Sequence, residues 1–190
     1  MIRMKQPSLV VHSHDVPGYK YQMKWTWKML PGATAGNIVN WVLHANNGQF
    51  GARGQRLENL IINCHGTPGS LLIGGIKSPD LNIGNVSVFS SLQGCDIGTI
   101  WLVACEVAAQ QGVATGGVGK TFCAELAKTA GCDVIASAAI QHVNLSFYLR
   151  GCPWGCIMTT RASHTGSNPP AGTCTTFRDP VRGSLGSANR

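Results

Sequence analysis

Leu60-Ile-Ile-Asn-Cys64, followed by His65-Gly66, and Thr99-Ile-Trp-Leu-Val-Ala-Cys105 are the two stretches whose reading decides the fold. Each is a short apolar run closed by polar or turn-forming residues, the pattern of a strand buried on both faces rather than one with a wet side. Working outward, Leu9-Val-Val-His12 reads as a strand of the same kind. Between it and the Leu60 run, Ile38, Val39, Trp41, Val42 and Ala45 recur at helical spacing from Ala35 to Asn46, where Asn46-Asn47-Gly48 ends the helix. Beyond Cys105, a glycine-rich loop, Gly112 to Gly119, leads into a second helix from about Lys120 to Thr129. Phe122, Cys123, Leu126 and Ala127 line one face of it, and Asp133-Val-Ile-Ala-Ser-Ala138 is the next strand. Strands alternating with helices in this way make βαβ units, so the expected fold class is α/β: a three-layer sandwich with a mostly parallel sheet and helices on both faces.

The rest of the chain is read around that frame. Thr67-Pro68-Gly69 is a turn and Leu71 to Gly74 a short strand. Val86, Phe89 and Leu92 predict a helix over 82–92, and Tyr19, Tyr21, Trp25 and Trp27 alternate as on one face of a strand or hairpin. Leu145 to Leu149 is a further apolar run. From Ser163 the sequence is polar and turn-rich, so residues 1–162 are expected to form one domain and 163–190 a loosely ordered segment.

The 190 residues include 15 Lys plus Arg and 8 Asp plus Glu, with 12% charged and 44% hydrophobic. Low charge excludes a charge-rich disordered tail or a coiled coil, and the apolar content suffices for one sizeable core. The net charge of +7 is spread as single residues. It therefore predicts attraction toward an acidic partner or inhibitor protein rather than a nucleic-acid groove. The chain has 8 cysteines, and none stands in a C-x-x-C; neither a disulfide framework nor a zinc site is expected, and no metal or cofactor is implied. The N-terminal residues carry charge without a following apolar region, and no run reaches the ~18 apolar residues of a membrane span. The expectation is a soluble chain in a reducing compartment, cytoplasmic or delivered into a target-cell cytoplasm.

His65 and Cys105 both stand directly after buried strands. In an open α/β sheet the ligand crevice lies outside the C-terminal strand ends, so these two residues are candidates to face one another. A cysteine nucleophile needs a neighbouring imidazole to favour its thiolate and to protonate the leaving group. The unhindered N–H of Gly66, with that of Cys105, suits the developing oxyanion of acyl transfer. Set against this stands the reading of Cys105 as a small buried hydrophobe and of His65 as a loop residue satisfying a hydrogen bond.

A strand ending in His-Gly followed by one ending in Ala-Cys resembles the caspase-like superfamily of cysteine peptidases, which includes caspases, gingipains, separases and the self-cleaving protease domains of large bacterial toxins. The resemblance implies that His65 and Cys105 are a catalytic dyad, and that the N–H groups of Gly66 and Cys105 form the oxyanion hole. Across about residues 59–141 the chain is similar to a caspase-like domain found near the N-termini of large bacterial surface proteins. That likeness is carried by Leu60 to Gly74, Ile100 to Ala108, Gly119 to Ala127 and Gly131 to Ser137, with Ala104 where that domain has Gly. It implies a caspase-like sandwich and a cysteine endopeptidase acting on protein or peptide substrates, in the setting of a bacterial effector or toxin. Specificity in such enzymes comes from a charged or polar pocket. Arg53, Arg56, Arg150, Arg161, Asp96, Glu106 and Asp133 are candidates for it, with Glu106 expected to point away from the thiol because residues leaving a strand alternate sides.

Two rival readings remain open at this stage. Ala114-Thr-Gly-Gly-Val-Gly-Lys-Thr121 looks like a phosphate-cradling loop, in which Gly116 to Thr121 would bind a nucleotide. Against it, Ala114 stands where the first glycine belongs, and the preceding strand ends well upstream. The other rival is an inert binding module on the same caspase-like fold, in which the Cys105 thiol has no activated chemistry.

Overall fold

The computed structural model describes residues 2–3, 5–16, 23, 25–46, 56–75, 80–109, 118–138, 156–157 and 174–177. In chain order the strands and helices are β1 (Ile2–Arg3), β2 (Ser8–His12), β3 (Trp25–Lys28), α1 (Ala35–Asn46), β4 (Asn59–Asn63), β5 (His65–Thr67), β6 (Ser70–Leu72), β7 (Asp80–Asn82), a 3-10 helix (Val86–Cys95), β8 (Thr99–Val103), α2 (Val118–Ala130), β9 (Asp133–Ser137), β10 (Cys156–Ile157) and β11 (Cys174–Phe177). The main sheet has the order β11-β9-β8-β4-β2-β3. β3, β2, β4, β8 and β9 are parallel, and β11 pairs antiparallel with β9 at one edge. β5, β6 and β7 form a separate antiparallel sheet. The protein is thus α/β with a mostly parallel sheet.

The parallel strands alternate, and each face has its own core. Leu9, Val11, Leu60, Ile62, Ile100, Leu102, Val134 and Ala136 lie on one face and pack in a single cluster with residues of all three helices, among them Ile38, Val42, Phe89, Phe122 and Leu126. On the opposite face Val10 and Ile61 pack with Met23, and Trp101 and Val103 lie half-buried against them. The expectation of helices on both faces is therefore corrected for the described residues, whose three helices all join the same core. Trp101 also ties this second face together: its Nε1–H donates to Asn59 Oδ1 at 2.8 Å, while Asn59 Nδ2 donates to Lys5 O and Ser8 Oγ at 2.8 and 3.0 Å.

Local chemistry explains the element ends. Thr34 precedes α1, and Asn37 Oδ1 accepts from the Thr34 N–H at 2.8 Å, the reciprocal half of a capping box. At the other helix, Gly131 has φ 67 and the Cys132 N–H bonds Ala127 O at 3.2 Å, the 6→1 bond of a Schellman stop. The helix expected over 82–92 is instead a 3-10 helix shifted to Val86–Cys95. Val86, Phe89, Leu92 and Cys95 are its buried residues, spaced by three throughout. A pure three-residue spacing makes one stripe on a 3-10 helix but drifts around an α-helix. The alternating aromatics are borne out in part: Trp25 and Trp27 on β3 pack against the core while Thr26 and Lys28 are exposed. Tyr19, Tyr21 and Leu145 to Leu149 lie outside the described residues. Within the segment expected to be loose from Ser163 onward, Cys174–Phe177 instead forms the antiparallel edge strand. No helix among the described residues is long and apolar enough to cross a membrane.

Candidate active site

Because β2, β4, β8 and β9 run parallel, the residues that leave them, 13–15, 64–66, 104–106 and 138, emerge at one edge of the sheet. His65 and Gly66 follow β4, and Cys105 follows its neighbour β8. Hydrogen bonding continues the pairing one residue past β4, since the Cys64 N–H donates to Val103 O, at the end of β8, at 3.3 Å. Cys105 is half-buried, whereas Cys64, Cys95, Cys123 and Cys132 are buried thiols.

His65 begins a hairpin whose tip is Thr67-Pro68-Gly69-Ser70. Pro68 presets the first central position and Gly69, with φ 75, supplies the positive φ of the second, as a type II turn requires. In so tight a hairpin Thr67 and Ser70 are the hydrogen-bonded pair. Gly66, opposite Leu71, is then the intervening non-bonded position, and its N–H points away from β6. The hairpin is fixed onto the segment that follows Cys105, because the Gly69 N–H donates to Val107 O at 3.0 Å. Gly66 itself is wedged against the same segment. A Cβ there would lie 2.7 Å from Val107 Cγ2, 2.8 Å from Cys105 O and 2.9 Å from Ala104 Cβ. Only a residue without a side chain lets the His-Gly segment come this close to the turn carrying Cys105.

The Cys105 turn is held from two further sides. The Ala108 N–H donates to Ser137 O at 3.0 Å, tying it to the end of β9, and Ala109 N–H closes onto Glu106 O at 2.8 Å. Glu106 has φ 54, a left-handed conformation that non-glycine residues rarely hold. The chain turns here instead of continuing as a strand, so the alternation argument that aimed Glu106 away from the thiol does not apply.

Asp15, which the sequence reading did not single out, completes the cluster. It follows β2, the strand next to β4, and its Oδ2 lies 3.9 Å from His65 Nε2. Ser13 Oγ donates to Asp15 Oδ1 at 2.5 Å. Burial alone would push the Asp15 carboxyl up, but the Ser13 hydroxyl, Asp15's own backbone N–H and the imidazoles of His65 and His14 outweigh it and hold the group below its ordinary 3.8. It is a carboxylate at neutral pH. A carboxylate facing one ring nitrogen favours a proton there and leaves the other nitrogen as the basic one. The signal that could have found Asp15 is the one that found Cys105: Ser13-His14-Asp15 also follows an apolar strand.

The specificity candidates divide by edge. Arg56 lies 3.9 Å from Glu58 and 4.0 Å from Asp96, ahead of β4 and β8, and Asp133 opens β9. All three of those candidates, Arg56, Asp96 and Asp133, therefore sit at the N-terminal edge, away from Cys105. Glu106 remains beside it; Arg53, Arg150 and Arg161 lie outside the described residues. For the nucleotide alternative, Gly116 and Gly117 also lie outside them, while Lys120 and Thr121 are exposed in the first turn of α2. Gly119 is packed directly against the carbonyl oxygens of Ala109 and Val107. Carbonyl oxygens at a helix start are poor neighbours for a phosphate, which needs the N–H groups there.

Comparison with protein-family models, with curated proteins and with solved structures gives no match for this chain.

Proposed function

We propose that the chain is a caspase-like cysteine endopeptidase whose nucleophile is Cys105. The observation that carries this reading is the wedge of Gly66 against the Cys105 turn, with His65 next to Gly66 and facing Asp15. It supports a site in which imidazole, thiol and two candidate oxyanion donors share one strand-end edge.

In the proposed reaction His65 takes the Cys105 proton and the thiolate attacks a peptide carbonyl. The N–H groups of Gly66 and Cys105 receive the developing oxyanion, and His65 returns the proton to the leaving amine. Water then hydrolyses the acyl-enzyme. Asp15 acts as a positioning residue: it holds the imidazole ring and stabilises the imidazolium once His65 is charged, as the carboxylate does in serine-dependent triads. The half-buried setting of Cys105 leaves its sulfur within reach of a substrate, unlike the four buried thiols. Protein or peptide substrates, a reducing compartment and the setting of a bacterial effector belong to the same proposal.

The test is proteolysis of a denatured proteome by wild type, Cys105→Ala and His65→Ala, with cleavage sites read by mass spectrometry. Both variants are expected to lose all cleavage while keeping the wild-type circular dichroism spectrum. Equal, slow iodoacetamide labelling of Cys105 in wild type and His65→Ala would instead favour the inert binding module.

A further inference from the structure

Leu30 is the most exposed large apolar side chain among the described residues, at 74%, where the next, Ile83, is at 46%. Its backbone is nonetheless fixed. The Ala33 N–H donates to Leu30 O at 3.1 Å, and Pro31 and Gly32, the latter at φ 78, fill the central positions of a type II turn. The Met29 N–H donates to His12 O at 2.7 Å and the Gly32 N–H to Gly74 O at 3.1 Å. These bonds tie the turn to the end of β2 on one side and to the segment after β6 on the other. Met29 and Ala33 are buried, while Leu30, Pro31 and Gly32 between them are exposed. The turn is thus an apolar tip on an anchored base.

Contacts lead from that base to the candidate site. Gly75, next to Gly74, is packed against His14 and Asp15: a Cβ there would lie 2.5 Å from His14 Cε1 and 3.4 Å from Asp15 Oδ2. The same Asp15 oxygen lies 3.9 Å from His65 Nε2. Because β3 runs parallel to β2, the turn leaves the sheet at the edge that carries Cys105. From β3 through β2 and β4 to β8 there are three strand spacings, about 14 Å, which an extended peptide covers in about four residues. Single exposed apolar residues are common on protein surfaces. Leu30 differs in that its backbone is already ordered and joined to the Asp15–His65 pair, so seating an apolar group on it costs little loop ordering.

We infer that Leu30 is a specificity-determining residue of the proposed peptidase, offering an apolar contact to a hydrophobic substrate side chain about four residues from the scissile bond. The inference rests on the peptidase reading for the occupant of this surface. It narrows the substrate class to extended segments with a hydrophobic residue at that distance. Leu30 touches no reacting atom, so its contact is the same before and during the chemical step, and its loss falls in KM rather than kcat.

The experiment profiles cleavage of a denatured proteome by the full chain as wild type, Leu30→Ser and Leu30→Met. Because Leu30 is exposed, all three are expected to melt together by circular dichroism. Wild type is expected to select a hydrophobic residue about four positions from the cut bond. Leu30→Ser should lose that selection, with KM for a peptide carrying it raised on the order of tenfold, and Leu30→Met should restore both. A wild-type profile without such selection, or one that Leu30→Ser leaves unchanged, overturns the inference. In parallel, proteome-derived peptides are captured on Cys105→Ala with and without Leu30→Ser. Capture of hydrophobic peptides that Leu30→Ser abolishes, by a chain whose wild type cleaves nothing, supports the peptide contact and removes the peptidase reading alone. Neither cleavage nor capture overturns both.

Discussion

Gly66→Ala is the substitution that tests the site's architecture most directly. The added methyl would meet three atoms at 2.7 to 2.9 Å: Val107 Cγ2, Cys105 O and Ala104 Cβ. Val107 and Ala104 are buried at 0% and 3% exposure, so neither has open space to move into. One of the three neighbours is a backbone carbonyl, which moves only if the turn moves. Overpacking of this kind costs about 1–3 kcal/mol. In a chain of this size that lowers the melting temperature by roughly 2–4 °C per kcal/mol, or about 4–8 °C for a mid-range cost. Under the proposed function, activity is expected to fall on the order of 100-fold, because that is the cost of a displacement of about 1 Å between reacting groups. Thermal unfolding followed by circular dichroism gives the first number, and the iodoacetamide rate at Cys105 with cleavage of a denatured protein gives the second. Gly94→Ala is the control, since a Cβ there meets nothing within 4 Å. It is expected to change stability by less than about 1 kcal/mol. A Gly66→Ala chain that melts with the wild type and labels Cys105 at the wild-type rate would refute the packing argument and, with it, the close approach of the His65-Gly66 segment to the Cys105 turn.

Two further outcomes follow from the same geometry. Asp15→Asn keeps the shape but removes the charge facing His65 Nε2, so the labelling rate of Cys105 and any peptidase kcat are expected to fall by about tenfold or more with little change in KM. Its stability effect has a definite sign: the folded Asp15 carboxyl sits below 3.8, so its contribution is present above that value and lost as pH falls through the folded one. Urea midpoints of wild type and Asp15→Asn should therefore differ at neutral pH and converge in acid; a constant gap would contradict it. Trp101→Phe removes the 2.8 Å bond to Asn59 Oδ1 and leaves a buried acceptor, since Asn59 is 6% exposed. Urea unfolding is expected to show a loss of about 1–3 kcal/mol, and a change within error of zero would show that water replaces the indole.

What the sequence made legible follows from which interactions are local. α1 is read with its observed bounds, because Ile38, Val39, Val42 and Ala45 form its buried stripe at helical spacing. β4, β8 and β9 come within a residue or two at each end, because continuous apolar runs between turn formers admit few other readings. The helix expected over 82–92 is present with its bounds shifted to Val86–Cys95, and the spacing of Val86, Phe89, Leu92 and Cys95 by three accounts for its 3-10 type. The antiparallel β11 was not legible, since Cys174–Phe177 gains its structure from pairing with a distant strand rather than from its own polar, turn-rich surroundings. For the site, His65, Gly66 and Cys105 were readable as strand-end residues, but Asp15 was not singled out. Its approach to His65 depends on β2 lying beside β4, a choice of sheet order that composition and period leave open. Sheet order likewise carries Arg56, Asp96 and Asp133 to the edge opposite Cys105.

The turn after β8 shows why a rim position for Cys105 needs so much support. Ala104, Val107 and Ala108 are buried at 3%, 0% and 1%, while Cys105 between them is half-exposed. A regular strand exposes every second residue; here the chain must release two successive side chains, Cys105 and Glu106, and then return Val107 and Ala108 to the core. The left-handed Glu106, at φ 54, makes that reversal possible. For a residue with a Cβ it costs about 1–2 kcal/mol, a strain that persists only where the surroundings over-determine it. They do so here through Gly69 N–H on Val107 O, Ala108 N–H on Ser137 O and Ala109 N–H on Glu106 O, bonds that reach the His65 hairpin, β9 and the turn itself. The bond from Gly69 N–H that pins the Cys105 turn is thus the bond that docks the hairpin beginning at His65. Holding Cys105 at the rim and docking the hairpin that begins at His65 are one structural event rather than two.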